Sequence, residues 1–159
     1  MELYLLRHGI AEDKSPSGRD ADRRLTDEGR SKLRRVLERA QNARVSPSLI
    51  LTSPLKRALE TAEIAARELG YEGRIVRDEA LRPDSTPAKV WSAVRDHSAE
   101  PSILLAGHEP LFSDTVGYFL GSTRKMINFR KAGLVRIDFA GLSAEPRGVL
   151  QWILTPKIS

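Results

Sequence analysis

Cysteine is absent from this sequence of 159 residues. Its absence excludes disulfide bonds, thiolate metal sites and catalysis by a cysteine nucleophile, and it fits a reducing compartment. Apolar runs long enough for a membrane span, about 20 residues, are absent as well. The N-terminus also lacks the basic segment followed by an apolar one that is typical of a secretory signal. We therefore expect a cytoplasmic protein that does not contact a membrane.

Dense clusters of basic residues are absent too. The net charge is +5, but lysine and arginine are spread along the chain with acidic residues between them. No RNA-binding motif with interleaved aromatic residues is present. A positive field that attracts anionic substrates explains the same charge, so we expect no nucleic-acid partner.

The sequence does contain an alternation of strand and helix patterns. Its length, with 40% hydrophobic and 30% charged residues, is typical of one globular domain, so we expect a single domain over 1–159. The alternation predicts an α/β sheet with helices on both faces and an antiparallel hairpin at one edge. A polar loop over 11–24 is expected to be mobile and to lie over the end of the first strand. The predicted strands are 2–6, 47–52, 74–77, 101–106, 133–139 and 148–154, and the predicted helices begin near 26, 55, 87 and 110.

Three of the predicted strands end in residues suited to one kind of chemistry. Arg7 and His8 follow the first strand, Arg57 follows the second, and His108 follows the fourth. Ligands of parallel sheets bind beyond the carboxyl ends of the strands, so we expect these four side chains to converge. Gly9 permits a sharp turn and the close approach of a substrate.

Two imidazoles and two guanidinium groups in one cleft would repel each other unless the occupant carried multiple negative charge. A phosphoryl group does so, and arginine binds it through paired donors. A neutral histidine can then attack the phosphorus atom as a nucleophile. A metal site is the alternative, but no ligand pair has helical spacing and the adjacent arginines would oppose a cation. We expect the third histidine, His97, to be structural.

Four stretches resemble the signatures of the histidine phosphatase superfamily, whose fold is phosphoglycerate-mutase-like. They are residues 6–9 (LRHG), 25–29 (LTDEG), 52–62 (TSPLKRALETA) and 106–110 (AGHEP). The resemblance covers the chain almost end to end. Because the chain is short and has no large insertion after its second helix, it is most similar to the SixA type, the protein phosphohistidine phosphatases. The resemblance implies a three-layer α/β/α fold whose central sheet has about six mostly parallel strands and one antiparallel edge strand.

The resemblance also implies roles for the clustered residues. His8 would be the nucleophile that becomes a phosphohistidine, which water then hydrolyses. Arg7 and Arg57 would hold the phosphoryl oxygens, with Gly9 beside them in the substrate site, and His108 would stabilise the transition state. The family uses no metal, so we expect no metal ion and no other cofactor.

The sequence leaves open which residue donates a proton to the leaving group. Glu79 lies on the loop where mutase-like members carry a glutamate, and we place it slightly ahead of Glu109. Glu109 occupies the position used in the acid phosphatase branch, and it is also a candidate substrate-binding residue. A third option is that no carboxylate donates, because imidazole leaves phosphorus more readily than a sugar alkoxide does.

Three functions are compatible with these residues. The first is hydrolysis of phosphohistidine on a protein such as a histidine phosphotransfer domain, which an open rim would admit. The second is hydrolysis of a small phosphoester such as a sugar phosphate, and the third is phosphate binding without catalysis. The intact set Arg7, His8, Arg57 and His108 argues against the third. We expect the protein to act as a monomer.

Overall fold

The centre of the molecule is a six-stranded sheet, and the computed structural model describes residues 1–157. The strands are β1 (Glu2–Arg7), β2 (Leu49–Thr52), β3 (Ile75–Arg77), β4 (Ser102–Gly107), β5 (Leu134–Phe139) and β6 (Gly148–Leu154). Their order across the sheet is β3-β2-β4-β1-β5-β6. Strands β1 to β4 are parallel, whereas β5 runs antiparallel to both β1 and β6, one position in from the edge.

Helices cover both faces of this sheet. They are α1 (Asp27–Asn42), α2 (Lys56–Glu68), α3 (Pro87–Asp96) and α4 (Leu111–Phe119). Alternate residues of β1 point to opposite faces, so Leu3 and Leu5 pack in the core under α3 and α4, whereas Tyr4 and Leu6 pack under α1 and α2. The predicted three-layer, mostly parallel fold with a hairpin at one edge is confirmed. Within residues 1–157, none of the helices has both the length and the apolar character required to cross a membrane.

Short local signals set the helix ends. The Thr26 hydroxyl accepts a hydrogen bond from the amide of Gly29 at 3.0 Å and caps α1. Thr86 caps α3 in the same way, and Pro87 occupies the first turn, where its missing N–H costs nothing. After α2, Gly70 adopts a φ of 68°, the left-handed conformation that ends the helix as predicted.

A close backbone approach fixes the segment that follows β1. A Cβ atom on Gly29 would lie 2.1 Å from the carbonyl oxygen of Ile10, so only glycine fits at this position. The same carbonyl accepts from the amide of Thr26 at 2.9 Å. The start of α1 therefore holds the chain just after His8 in place.

Two connecting segments contain short 3₁₀ turns. The 11–24 loop includes one at Asp20–Asp22, and Ala11 forms an isolated antiparallel bridge with Leu25. The 78–86 loop includes another at Glu79–Leu81, begun by the Asp78 side chain, which accepts from the amide of Ala80. Such turns have a weak sequence signal because they are only three residues long.

Candidate active site

Adjacent strand ends bring the two predicted histidines together. Arg7 of β1 pairs in register with Gly107 of β4, and the His8 amide donates to the Gly107 carbonyl at 3.0 Å. The next residue on each strand is therefore a histidine at the same edge of the sheet. The imidazole rings of His8 and His108 have centroids 5.2 Å apart, and the two residues are only 7% and 1% exposed.

The backbone fixes the tautomer of His8. Its Nδ1 lies 2.7 Å from the carbonyl oxygen of Gly9. A carbonyl oxygen can only accept, so Nδ1 carries the proton and donates it in this bond. The lone pair of the neutral ring is therefore on Nε2. Gly9 contributes a second contact through its amide, which donates to Thr61 Oγ1 at 3.3 Å.

In His108 the other ring nitrogen makes the hydrogen bond. Its Nε2 lies 2.8 Å from the hydroxyl of Ser53, which is fully buried and also accepts from the amide of Leu55 at 3.2 Å. Donation from the Ser53 hydroxyl to Nε2 satisfies both groups, whereas a proton on Nε2 would leave the hydroxyl proton without an acceptor among residues 1–157. The ring proton of His108 is thus on Nδ1, a buried atom with no hydrogen-bond partner in that range.

Burial keeps both imidazoles neutral near pH 7. Burial, together with the nearby positive charges of Arg57, Arg7 and Lys131, lowers the pKa of His8 to about 4 against the opposing effect of the hydrogen bond to the Gly9 carbonyl. Burial also lowers the pKa of His108 well below its ordinary value, with His8 and Arg57 acting in the same direction. A neutral imidazole is the form that can act as a nucleophile.

Arg57 lies in the first turn of α2 and is buried. Its Nη1 donates to the main-chain oxygen of Asp20 at 3.1 Å, and its Nη2 contacts Asp20 Oδ2 at 3.2 Å. The Asp20 side chain is 62% exposed, whereas that of Arg57 is 8% exposed. The carbonyl of Arg57 accepts from the Thr61 hydroxyl, which contacts the Gly9 amide in turn. The 11–24 loop therefore reaches the site through Asp20.

Arg7 is half-buried at the end of β1. Its Nη1 donates to the carbonyl of Phe129 at 2.7 Å, which ties the strand end to the segment before β5. Its Nε is buried and has no hydrogen-bond partner within residues 1–157. Burial lowers the pKa of Arg7, and the negative charge of Glu109 opposes this effect. An arginine keeps its charge despite such shifts.

The two candidate proton donors differ in surroundings. Glu79 lies on the exposed 3₁₀ turn after β3, where its carboxylate is 3.5 Å from Arg82. Glu109 follows His108, and its carboxylate accepts from both the amide and the hydroxyl of Ser113 in the first turn of α4. Of the two carboxylates, only that of Glu109 lies close enough to a residue of the predicted cluster to affect its pKa. That residue is Arg7. The choice between them remains a prediction.

Three side chains of the site were not singled out from the sequence. Ser53 belongs to the 52–62 motif, but the pattern indicated only the break after β2. Asp20 is one of several acidic residues in a polar loop, and Lys131 precedes β5 far along the chain. Nothing in their local patterns distinguishes them, because each joins the site through long-range contacts. Among residues 1–157, no group of three or more His, Cys, Asp or Glu side chains is placed to hold a metal ion.

Comparison with known proteins agrees with this geometry. The family model of the histidine phosphatase superfamily (branch 1) matches residues 3–83, a segment that contains Arg7, His8, Arg57 and Glu79 but ends before His108. An uncharacterized protein of Picosynechococcus is 34% identical over 161 aligned residues, which cover 99% of this chain and 98% of the relative. The chain is a phosphatase of the histidine phosphatase superfamily.

Solved structures share the whole fold. The protein histidine phosphatase SixA in complex with tungstate has a TM-score of 0.88 at 21% identity, covering 99% of this chain and 98% of its own. A protein of Agrobacterium tumefaciens assigned as phosphohistidine phosphatase SixA has a TM-score of 0.84 at 26% identity, with 98% and 97% covered. A mycobacterial glucosyl-3-phosphoglycerate phosphatase has a TM-score of 0.73 at 18% identity, with 95% and 97% covered.

Proposed function

We propose that this phosphatase hydrolyses phosphohistidine carried by another protein, through a covalent intermediate on His8. The observation that carries the proposal is the neutral His8 ring, whose Nδ1 is held by the Gly9 carbonyl so that the lone pair is on Nε2. Arg57 and Arg7 lie close enough for their charges to act on this ring. A nucleophile between fixed positive charges suits attack on a phosphoryl group.

The first chemical step transfers the phosphoryl group to the enzyme. The Nε2 lone pair of His8 forms a bond to phosphorus while the bond from phosphorus to the substrate imidazole breaks, and the departing nitrogen takes up a proton from solvent. Arg7, Arg57 and the free Nδ1–H of His108 would stabilise the charge on the equatorial oxygens. Water then attacks phosphorus, the bond to Nε2 breaks, and inorganic phosphate leaves.

Two features support a protein substrate. The connection from α2 to β3 is only residues 69–74, so no inserted domain encloses the site on that side. Both candidate proton donors already have a partner, since Glu79 forms an ion pair with Arg82 and Glu109 accepts a hydrogen bond from Ser113. A leaving imidazole requires less proton donation than an alkoxide, so phosphohistidine is the substrate that fits such an arrangement. A histidine phosphotransfer domain is the proposed partner, in keeping with the similarity to SixA proteins.

A small phosphoester is the second candidate substrate. The similarity in fold to the mycobacterial glucosyl-3-phosphoglycerate phosphatase supports it, because that chain is of similar extent. Glu79 or Glu109 would then have to donate a proton to an alkoxide leaving group.

A substrate comparison tests the proposal. The purified protein is given a phosphorylated histidine phosphotransfer domain and, separately, a panel of sugar phosphates, and kcat/KM is measured for each. We expect the phosphodomain to be preferred by at least about tenfold, a difference of 1.4 kcal/mol in the activation barrier. A preference for any sugar phosphate would overturn the choice of substrate.

The covalent step is tested separately. With a labelled substrate, quenched reactions should contain label on the protein in an acid-labile form, as expected of a phosphorus–nitrogen bond. The His8→Ala variant should show neither label nor turnover, although it should still bind phosphate in part. Unchanged turnover in that variant would refute the mechanism for both substrate classes.

A further inference from the structure

A cationic cleft adjoins the site on the side of β1. It has a volume of about 870 Å³ and is lined by the end of β1 and the residues after it, by part of α1, by the segment before β5 and by the segment after β6. All of its charged lining residues are cations, and no acidic residue lines it. We call this surface the basic cleft and define it by Arg7, Lys32, Arg35, Arg130, Lys131 and Lys157.

Most of this positive charge is not neutralised locally. Lys32 forms an ion pair with Glu28 one turn away on α1, at 2.9 Å. Arg35, Arg130 and Lys131 are exposed and have no ion pair within residues 1–157. Cations gathered in one concave surface repel each other, so an anionic partner that fits there is stabilised.

The basic cleft is continuous with the catalytic site. Arg7 belongs to both, because it lines the cleft and precedes His8 directly. Lys131 lies close enough for its charge to lower the pKa of His8, and the amide of the next residue, Ala132, donates to the His8 carbonyl at 3.1 Å. A partner lying in the cleft would therefore end beside His8.

We propose that the basic cleft is the docking surface for an acidic segment of the phosphorylated partner protein, next to the residue that is dephosphorylated. Binding sites for small anions are built from a few precisely placed polar groups. The cations of the cleft are mostly exposed and come from four separate segments. Charges of this kind steer the encounter of two macromolecules and are screened by salt. The proposal rests on a protein substrate and identifies the surface that selects it.

A pair of matched double variants tests the docking surface. R35E/R130E reverses two charges of the basic cleft outside the catalytic site, and R67E/R74E reverses two exposed arginines elsewhere that also lack ion pairs within residues 1–157. Both variants change the net charge by the same amount. For R35E/R130E we expect kcat/KM on the phosphodomain at low salt to fall by about tenfold or more, and its dependence on salt to weaken.

The same variant should hydrolyse para-nitrophenyl phosphate at the rate of the unchanged protein, which also shows that it is folded. R67E/R74E should behave like the unchanged protein towards both substrates. Equal losses with the two substrates, or equal losses in the two double variants, would overturn the proposal, because the effect would then be one of net charge or of the catalytic site.

A binding assay separates this proposal from the proposed function. The probes are a fluorescent glutamate-rich peptide and a single-stranded oligonucleotide of equal charge, neither of which requires turnover. Salt-sensitive binding of the peptide that is lost in R35E/R130E and kept in R67E/R74E supports the docking surface, even if the phosphodomain is not a substrate. Stronger binding of the oligonucleotide, or no peptide binding at low salt, would overturn it.

Discussion

The histidines that follow β1 and β4 are alike in position but differ in which ring nitrogen is free. Each of these neighbouring parallel strands delivers a buried histidine to the same edge of the sheet, and the two rings lie 5.2 Å apart. The ring of His8 contacts a carbonyl through Nδ1, whereas that of His108 contacts a hydroxyl through Nε2. Because the partners differ, the nitrogen left free is Nε2 in His8, which carries a lone pair, and Nδ1 in His108, which carries a proton.

This difference teaches that the roles of paired histidines are set by hydrogen-bond partners more than by burial. Both rings are neutral because both are buried among cations. The carbonyl of Gly9 can only accept, whereas the hydroxyl of Ser53 can donate. Both rings carry their proton on Nδ1, but the free nitrogen is Nε2 in His8, which can attack phosphorus, and Nδ1 in His108, which can donate to a phosphoryl oxygen.

The sharpest test of this comparison, with the largest expected effect, replaces each histidine in turn by glutamine. His8→Gln should lower kcat by about three orders of magnitude or more, because no covalent intermediate can form. His108→Gln should lower kcat by about two orders of magnitude, since its amide can still donate, and labelled phosphate should still accumulate on His8. Rapid-quench labelling measures both. Identical behaviour of the two variants would remove the distinction between the rings.

A smaller effect is expected from Ser53→Ala, which removes the donor to His108 Nε2. An unsatisfied buried group costs about 1–3 kcal/mol, and misplacement of the ring should lower kcat by about tenfold. ¹⁵N NMR of the imidazole reports whether the proton stays on Nδ1. Ser102→Ala is the control, because that hydroxyl on β4 is also buried but has no partner within residues 1–157. A Ser53→Ala variant with unchanged kcat and NMR signals would contradict the assignment.

The shared burial of the two rings predicts a loss of stability in mild acid. The unfolded chain takes up a proton on each imidazole near pH 6.5, whereas the folded protein keeps His8 neutral to about pH 4 and His108 neutral further into acid. The unfolded state binds more protons in this interval, so the free energy of unfolding should fall as the pH falls below about 6.5. Each ring should contribute about 1.4 kcal/mol per pH unit.

Urea unfolding at several pH values between 7 and 5 measures this slope. The interval lies above the range where most carboxylates titrate, so histidines dominate it. His8→Gln should reduce the slope because one of the two rings no longer titrates. Stability that is constant or increases as the pH falls from 6.5 to 5 would show that the rings are not held neutral.

The smallest effect is expected at Asp20, whose carboxylate contacts Arg57 and would compete there with a phosphoryl group. Because the carboxylate side of this ion pair is exposed, the pair is expected to contribute about 1 kcal/mol, so Asp20→Asn should tighten competitive inhibition by inorganic phosphate by roughly two- to fivefold. Asp22→Asn is the matched control, because it lies in the same 3₁₀ turn and contacts Arg19 and Ser17. Weaker inhibition in Asp20→Asn would instead indicate that Asp20 orients Arg57 for phosphate.

The positions of Arg7, His8, Arg57 and His108 beyond the ends of strands could be predicted because each follows a strong local pattern. A buried strand that ends in Arg7 and His8, and another that ends before His108, place side chains at the edge where parallel sheets bind ligands. The helix boundaries at Thr26 and Gly70 followed from capping preferences in the same way. Expectations of this type held because they depend on residues within one turn or one strand.

The environment of each carboxylate could not be predicted. Whether Glu109 contacts Ser113 or points away depends on how α4 begins, and the ion pair of Glu79 depends on a three-residue turn. The contact between Asp20 and Arg57 joins residues 37 positions apart. Loop conformations of this kind depend on many weak contacts that have no short sequence signature.

The sequence by itself determined the alternation of strands and helices and the chemical groups that follow the strands, because periodicity and capping act over a few residues. The tertiary structure alone decided that β4 lies beside β1, which nitrogen of each histidine is free, and that cations from four distant segments form one cleft. These features depend on which buried surfaces pack together over the whole chain, so no local segment encodes them.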